Sequence, residues 1–312
     1  MFIVRYTGGL GNQMFQYALM VMLKQFFSEE EIYADLTRYD LTPEHDGFDL
    51  IKYFDINIDV VNNSTLKKIA PVNYWCKRLH AKWILQLFSV HRIEIINEKL
   101  EKKYEDIGII PDYSATNFNK DAFSLNREEK NIWHYKGNWI NPQYWKGYEQ
   151  QICHSFSFKE ELLSDEDIRL IQRMEKEESV AVHIRKGDYT GKYLYDICSE
   201  KYYKDAIERI NGIKKNKNMK IYIFSETSNL NLNFCDGLEN IIVSHPKQPG
   251  IDMWLMSKCK HNIIANSTFS FWSAFLNRNP EKIVIAPMYM YRREVYVKFV
   301  VPDKWILLNN LE

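Results

Sequence analysis

An apolar run from Phe2 to Tyr6 ends at the glycine turn Gly8 to Gly11, and from Asn12 to Phe27 the apolar residues Met14, Phe15, Ala18, Leu19 and Met22 recur at helical spacing. The pattern predicts a buried strand, a tight turn and an amphipathic helix. EEIYADL then reads as a second short strand ending near Asp35, the start of a β-α-β unit. From Asp40 to about Asp112 the periodicity is irregular. There YWCKRLHAKWILQLF mixes basic and aromatic residues, which predicts an amphipathic helix pair with a buried and a solvated face in preference to an acceptor or membrane-surface patch.

NIWHYKGNWINPQYW at 131–145 is dense in Trp, Tyr, Asn and Gly, and the composition turns helical beyond it. The boundary between two domains, 1–150 and 151–312, is placed there. In the second half, SDEDIRLIQRMEKEE offers Ser164 as an N-cap with acids in the first turn. The strand-like runs SVAVHIR, KIYIFS, NIIVS, HNIIA and KIVIAP then alternate with helical stretches at SEKYYKDAIERI, DMWLMSKC and STFSFWSAFLN. Such alternation predicts an α/β fold whose parallel sheet has helices on both faces and ligands outside the carboxyl ends of its strands. Two lobes of this kind facing a cleft are expected.

Composition narrows the function classes. Lys plus Arg equals Asp plus Glu at 41 each, so no global field draws the chain to nucleic acid, and an anionic ligand has to be held locally. The apolar run WILQLFSV is far shorter than the roughly 18 residues that span a bilayer, so neither a signal peptide nor a transmembrane helix is expected. The five cysteines form no C-x-x-C pair and the eight histidines no H-E-x-x-H motif. Reduced thiols, a cytoplasmic location and no bound metal follow as expectations.

Three constellations carry candidate chemistry. The first is GGLGNQ, which with Asp35 some twenty residues on partly matches a dinucleotide-binding fingerprint, and hence an oxidoreductase, although the third glycine of that fingerprint falls at Met14. What survives is a glycine turn whose following helix aims its first amides at an anion, with Asn12 and Gln13 as added donors; a turn with an asparagine cap is the plainer alternative. The second is SVAVHIRKGDY. Alternation puts Val180, Val182 and Ile184 on one side and Ala181, His183 and Arg185 on the other, and an arginine fork suits a pyrophosphate. Asp188 is placed to pair with Arg185 or His183 or to touch the ligand, against a structural salt bridge as the alternative. The third is DMWLMSKCKHNIIANSTFSFWSAFLN, where Ser267 and Thr268 at a helix start either cap it, the preferred reading, or hold a phosphate. Asp252 is either an N-cap or a carboxylate that reads a guanine edge.

GGLGNQMFQYA, HIRKGDY, CSEKYYKDAI and DMWLMSKCKHNIIANSTFSFWSAFLN with its later IAP together closely resemble the bacterial α-1,2-fucosyltransferases, glycosyltransferase family 11. The resemblance implies a GT-B-like fold of two Rossmann-type lobes, GDP-β-L-fucose as donor substrate with no cofactor, and inverting transfer without a metal ion. It implies that Arg185 binds the β-phosphate and that His183 positions the donor. It likewise implies that Asn12, Gly9 and Gly11 form a turn that closes over pyrophosphate and fucose, that Ser267 and Thr268 cap a helix onto the phosphates with Phe269 beside them, and that Asp252 reads guanine. The chain departs from the usual HIRRGDY at Lys186, from FSWWGAWLN at Phe271, Ser273 and Phe275, and from a pair of aspartates at Glu226 and Thr227.

An inverting transfer also needs a proton acceptor, for which Asp35 and Asp188 are the candidates. The expected activity is transfer of L-fucose to a galactose 2-hydroxyl of a glycan or lipid-linked oligosaccharide, in the cytoplasm, with peripheral contact at the inner membrane left open. The alternatives are a fucosyltransferase of another linkage or acceptor, an oxidoreductase and a non-catalytic glycan-binding protein.

Overall fold

In the computed structural model the opening apolar run forms strand β1 (Phe2–Arg5), with Phe2, Ile3 and Val4 fully buried. The structure describes residues 1–41, 47–81, 83, 88–112, 117–126, 129–215, 218–227, 230–293 and 296–311, without the side chains of residues 41 and 188. The chain divides into two units, Met1–Ser157 and Phe158–Glu312, so the short helix near residue 150 falls in the first.

In the first unit β1 leads into α1 (Leu10–Phe26) and β2 (Ile32–Asp35). Next come α2 (Thr37–Leu41), α3 (Leu50–Tyr53), α4 (Asn63–Ile69), α5 (Pro71–Arg78) and α6 (Val90–Glu101), then β3 (Ile107–Asp112), β4 (Ile132–Gly137) and α7 (Glu149–His154). The sheet order is β2-β1-β4-β3, and every pairing is parallel. Met14, Phe15, Ala18, Leu19 and Met22, the positions marked by the periodicity, are the buried stripe of α1. Ile3 packs with Leu66 and Ile69 of α4.

The irregular stretch resolves into α2 to α6 and β3. Of the run read as an amphipathic pair, residues 74–78 end α5, whose Cys76 packs on Ile93 of α6 and whose Asn73 Oδ1 accepts from Asn97 Nδ2 at 2.8 Å; α6 begins beyond that run, and the run's residues 82 and 84–87 lie outside the described residues. Strand β4 went unpredicted because Ile132 to Tyr135 are all buried and show no alternation.

The second unit contains α8 (Asp165–Lys176), β5 (Ser179–His183), α9 (Glu200–Lys214), β6 (Lys220–Phe224), β7 (Glu239–Val243), α10 (Pro249–Lys258), β8 (His261–Ile263) and α11 (Thr268–Leu276). It ends with β9 (Val284–Pro287), the antiparallel hairpin β10 (Tyr289–Arg292) and β11 (Tyr296–Lys298), and β12 (Ile306–Leu308). Ser164 does cap α8, in a reciprocal box with Asp167. The five predicted strands are β5 to β9, and the three-residue β12 joins them in a parallel sheet of order β12-β9-β8-β5-β6-β7. Read from β7, that is the doubly wound order 3-2-1-4-5-6. Val180, Val182 and Ile184 pack with Tyr202, Ala206 and Ile210 of α9, on the face that the alternation assigned to them. Both units are thus parallel α/β layers of Rossmann type, the build of a GT-B-like chain. Among the described residues no helix is long and apolar enough to cross a membrane.

Candidate active site

In the second unit the chain runs outward from β5 through β6 and β7, then returns to place β8 on the other side of β5. Ligands of doubly wound sheets bind beyond the carboxyl ends of the strands at this reversal. The residues that follow β5 and β8, His183 to Lys186 and Ala265 to Phe269, flank it.

His183 closes β5 and is 3% exposed. Its ring lies 5.6 Å from that of Phe269, at the head of α11, and its Nδ1 is buried with no hydrogen-bond partner among the described residues. Burial, then the charge of Arg185, pushes the imidazole pKa down to about 3, so the ring is neutral near pH 7. Arg185 is half-buried; its Nη1 lies 3.3 Å from Glu226 Oε1 and its guanidinium 5.1 Å over the ring of Tyr189. Glu226, in the loop after β6, thus sets a carboxylate on Arg185, at one of the positions where the chain departs from the family pattern. The side chain of Asp188 lies outside the described residues. Lys186 donates instead to Asp196 Oδ1 at 3.0 Å, and Asp196 Oδ2 accepts from the Gly191 amide at 3.1 Å. It pins the loop that follows.

Ser267 is buried and caps α11, its Oγ accepting from the Phe269 amide at 3.3 Å; Thr268 and Phe269 are half-buried beside it. Ser267 realises the capping reading, and Thr268 is the first residue of the helix. Asn266, which the sequence reading passed over, is 2% exposed. Its Nδ2 donates to the carbonyls of Tyr195 at 2.9 Å and Met290 at 2.8 Å, and Cys198 Sγ donates to its Oδ1 at 3.2 Å. One side chain thereby ties the segment after Arg185 and the β10 strand to the end of β8.

Asp252 lies in the first turn of α10, whose N-cap is Gln248, so it is not itself the cap. Its Oδ2 accepts from the His245 amide at 3.0 Å and its Oδ1 pairs with His245 Nδ1 at 2.6 Å. His245 Nε2 is 3.1 Å from Asp167 Oδ1, and the hydrogen bond with Asp252 leads the effects that raise the imidazole pKa. Asp252 thus stands at the same carboxyl edge as Arg185, with His245 and Asp167 as its neighbours.

In the first unit the turn after β1 is tighter than predicted. Gly8 makes the reversal at φ +74, Gly9 is the N-cap, and α1 begins at Leu10, with Gly11 buried inside its first turn. The amides of Asn12 and Gln13 bond back to Gly9 O at 2.9 and 3.1 Å, and the half-buried Asn12 side chain folds over Gly8, where an added Cβ would fall 2.4 Å from Nδ2. Gln13 is not an anion donor. Fully buried, it donates to Gly8 O at 3.0 Å and Gly47 O at 2.8 Å and accepts from the amides of Asp49 at 2.9 Å and Leu50 at 3.0 Å, which fills the capacity of the amide group. Gln16 accepts from Thr7 N at 3.1 Å and donates to Gly137 O at 3.2 Å, clamping the end of β1 to the end of β4.

Asp35, at the end of β2, is 1% exposed. Its Oδ1 accepts from the Thr37 amide at 2.9 Å, and its Oδ2 is 3.3 Å from His134 Nε2, whose Nδ1 is 2.7 Å from Glu101 Oε1. Lys136 pairs with Glu101, and Arg5 and Arg38 both pair with Glu94. Burial works to raise the Asp35 pKa, but the His134 hydrogen bond and charge, with Arg5 behind them, hold it well below the carboxylate range. A carboxylate so enclosed and so acidic is a poor proton acceptor. The geometry argues against Asp35 as the base.

The sequence model of Glycosyl transferase family 11 matches residues 89–308. The chain is 28% identical to an alpha-1,2-colitosyltransferase of Escherichia coli, with 99% of each chain covered. It is also 28% identical to the O-antigen biosynthesis glycosyltransferase WbnK of Escherichia coli, over 97% of this chain and 98% of that one. A shorter match, 32% identical over 31% of this chain, covers 27% of galactoside alpha-(1,2)-fucosyltransferase 1 of Mus musculus.

Proposed function

The chain belongs to glycosyl transferase family 11, and from that membership we propose that it moves L-fucose from GDP-β-L-fucose to the 2-hydroxyl of a galactose in a glycan or lipid-linked oligosaccharide. The observation that carries this reading is the neutral His183 beside the Arg185 guanidinium at the reversal between β5 and β8. A cation with a planar fork at that point suits a diphosphate.

In the proposed reaction the bond from fucose C1 to the β-phosphate oxygen breaks, and C1 bonds to the galactose O2 from the opposite face. The hydroxyl proton passes to a base, and negative charge grows on the departing GDP. Arg185 meets that charge, which is the electrostatic work a divalent cation does in metal-dependent transferases; metal independence and inversion are parts of the proposal. His183 adds a hydrogen-bonding ring without a second charge. Glu226 aims the arginine. The reaction is placed in the cytoplasm.

The identity to the alpha-1,2-colitosyltransferase over 99% of both chains favours a second reading, in which the transferred sugar is colitose, the 3-deoxy analogue of L-fucose. The two are separated by supplying GDP-fucose and GDP-colitose in turn with lactose or N-acetyllactosamine, following GDP release and assigning the linkage by NMR. A fucosyl-α-1,2-galactose product, reduced by a factor of about 10²–10³ in Arg185→Ala, is the expected result. Turnover with GDP-colitose alone selects the second reading; without turnover, GDP binding in calorimetry moves the search to other galactoside acceptors, and no GDP binding overturns both.

A further inference from the structure

From Val60 to Ile93 the sequence contains no aspartate or glutamate, yet it carries Lys67, Lys68, Lys77, Arg78, Lys82 and Arg92, in a chain whose charges balance at 41 each. The described residues of this stretch include α4, α5 and the start of α6. Helix α5 turns Asn73 and Cys76 inward, while its outer side and the segment beyond it expose Trp75 at 48%, Leu79 at 68% and Trp83 at 62%. Lys77 and Arg78 are exposed between these residues and have no carboxylate partner among the described residues. Lys67 stands 5.6 Å over the ring of Trp75. Lys68 is already spent on Asp106 at 2.9 Å and does not count toward the patch.

We propose that this face of the first unit docks on an anionic lipid surface, with the tryptophans and Leu79 entering the headgroup region while the cations reach lipid phosphates. The charge is complementary, and interfacial helices have this composition, basic residues with Trp and Leu and no acid. The arrangement also separates a membrane from a protein partner. Protein interfaces gather their apolar residues into a core depleted of lysine, whereas here cations and large apolar side chains alternate along the end of α5 and the residues just beyond it. At a bilayer that interleaving is tolerated, because lysine and arginine stems lie along the apolar layer with their heads in the phosphate zone. The inference is independent of the transferase reading, because it is tested without donor or acceptor.

The test is flotation of the full chain with vesicles of phosphatidylglycerol and phosphatidylethanolamine, against vesicles of phosphatidylcholine, at about 0.1 M salt. Binding to the anionic vesicles only is expected. The double variant Lys77→Gln, Arg78→Gln should weaken partitioning about 30-fold, and Trp75→Ala with Leu79→Ala should abolish flotation, both with unchanged melting curves. The proposal is overturned by absence from the anionic vesicles, by equal flotation on neutral ones, or by binding that neither variant alters. The last outcome would leave the patch to a protein partner.

Discussion

Glu226 Oε1 stands 3.3 Å from Arg185 Nη1, and a Cβ added to Gly187 would fall 2.5 Å from the same carboxylate oxygen. The arginine, the glycine and the glutamate are one steric unit. At Gly187 a larger residue would displace the Glu226 side chain, which lies against the turn that carries Arg185 past the end of β5. Glu226→Gln keeps the shape and removes the charge, so kcat should fall by about tenfold, a misaim of Arg185 well short of its loss. Combined with Arg185→Lys, which keeps a cation but loses the fork, the effects should be less than additive. Full additivity in the double-mutant cycle would show that the two side chains act separately.

His183 has a folded pKa of about 3, below its unfolded value near 6.5. Between those values the unfolded chain binds a proton that the folded chain does not, so stability falls as the pH is lowered through that window. Urea unfolding at about pH 7.5 and about pH 5 should show the loss, and a shallower one in His183→Gln. Equal slopes in the two proteins would mean that the imidazole is protonated in the fold.

The imidazole of His245 behaves in the opposite sense. Its pKa is raised by the hydrogen bond with Asp252 and then by the charges of Asp252 and Asp167, against the effect of burial. Its contribution is complete below the unfolded pKa and is lost as the pH rises through the folded one. Asp252→Asn should therefore destabilise the chain by about 1 kcal/mol near pH 6, a value discounted for partial exposure, and by less near pH 9. Calorimetric melting at the two pH values measures the difference.

Gln13 satisfies two amides and two carbonyls from inside the first unit. Replacing it with leucine removes a donor from Gly47 O and Gly8 O, the latter still reached by Tyr39 Oη at 2.9 Å, and takes the shared acceptor from the buried amides of Asp49 and Leu50, at a cost of about 1–3 kcal/mol. The denaturation midpoint should shift accordingly. A Gln13→Leu protein of unchanged midpoint would mean that water reaches the turn.

The parts of this fold that could be read from the sequence are those whose signal is local. β5 to β9 are short Val- and Ile-rich runs closed by turn residues, and the alternation in SVAVHIR placed Val182 and His183 on opposite faces correctly. Arg185 could be singled out as a candidate because it stands at the end of a strand-like run that is itself locally legible; its partner Glu226, in the loop after β6, could not. β4 was hidden because a buried His134 in its middle makes sense only with partners far off in sequence, Glu101, 33 residues earlier, and Asp35. The role of Gln13 was misread for the same reason, since its partner Gly47 lies 34 residues away. Asn266 looked like an ordinary loop asparagine until its partners, Tyr195 and Met290, were brought to it from two other segments.

The bond from Gln16 Nε2 to Gly137 O joins positions 121 residues apart, and β1 has β4 as one of its two neighbours. During synthesis β1 therefore waits with one edge unpaired until the residues of β4 have left the ribosome. A fragment that stops before Ile132 keeps that edge bare, a template for strand addition by other chains. The first unit is thus an all-or-nothing piece of the polypeptide, and shortened versions of it should collect as aggregates.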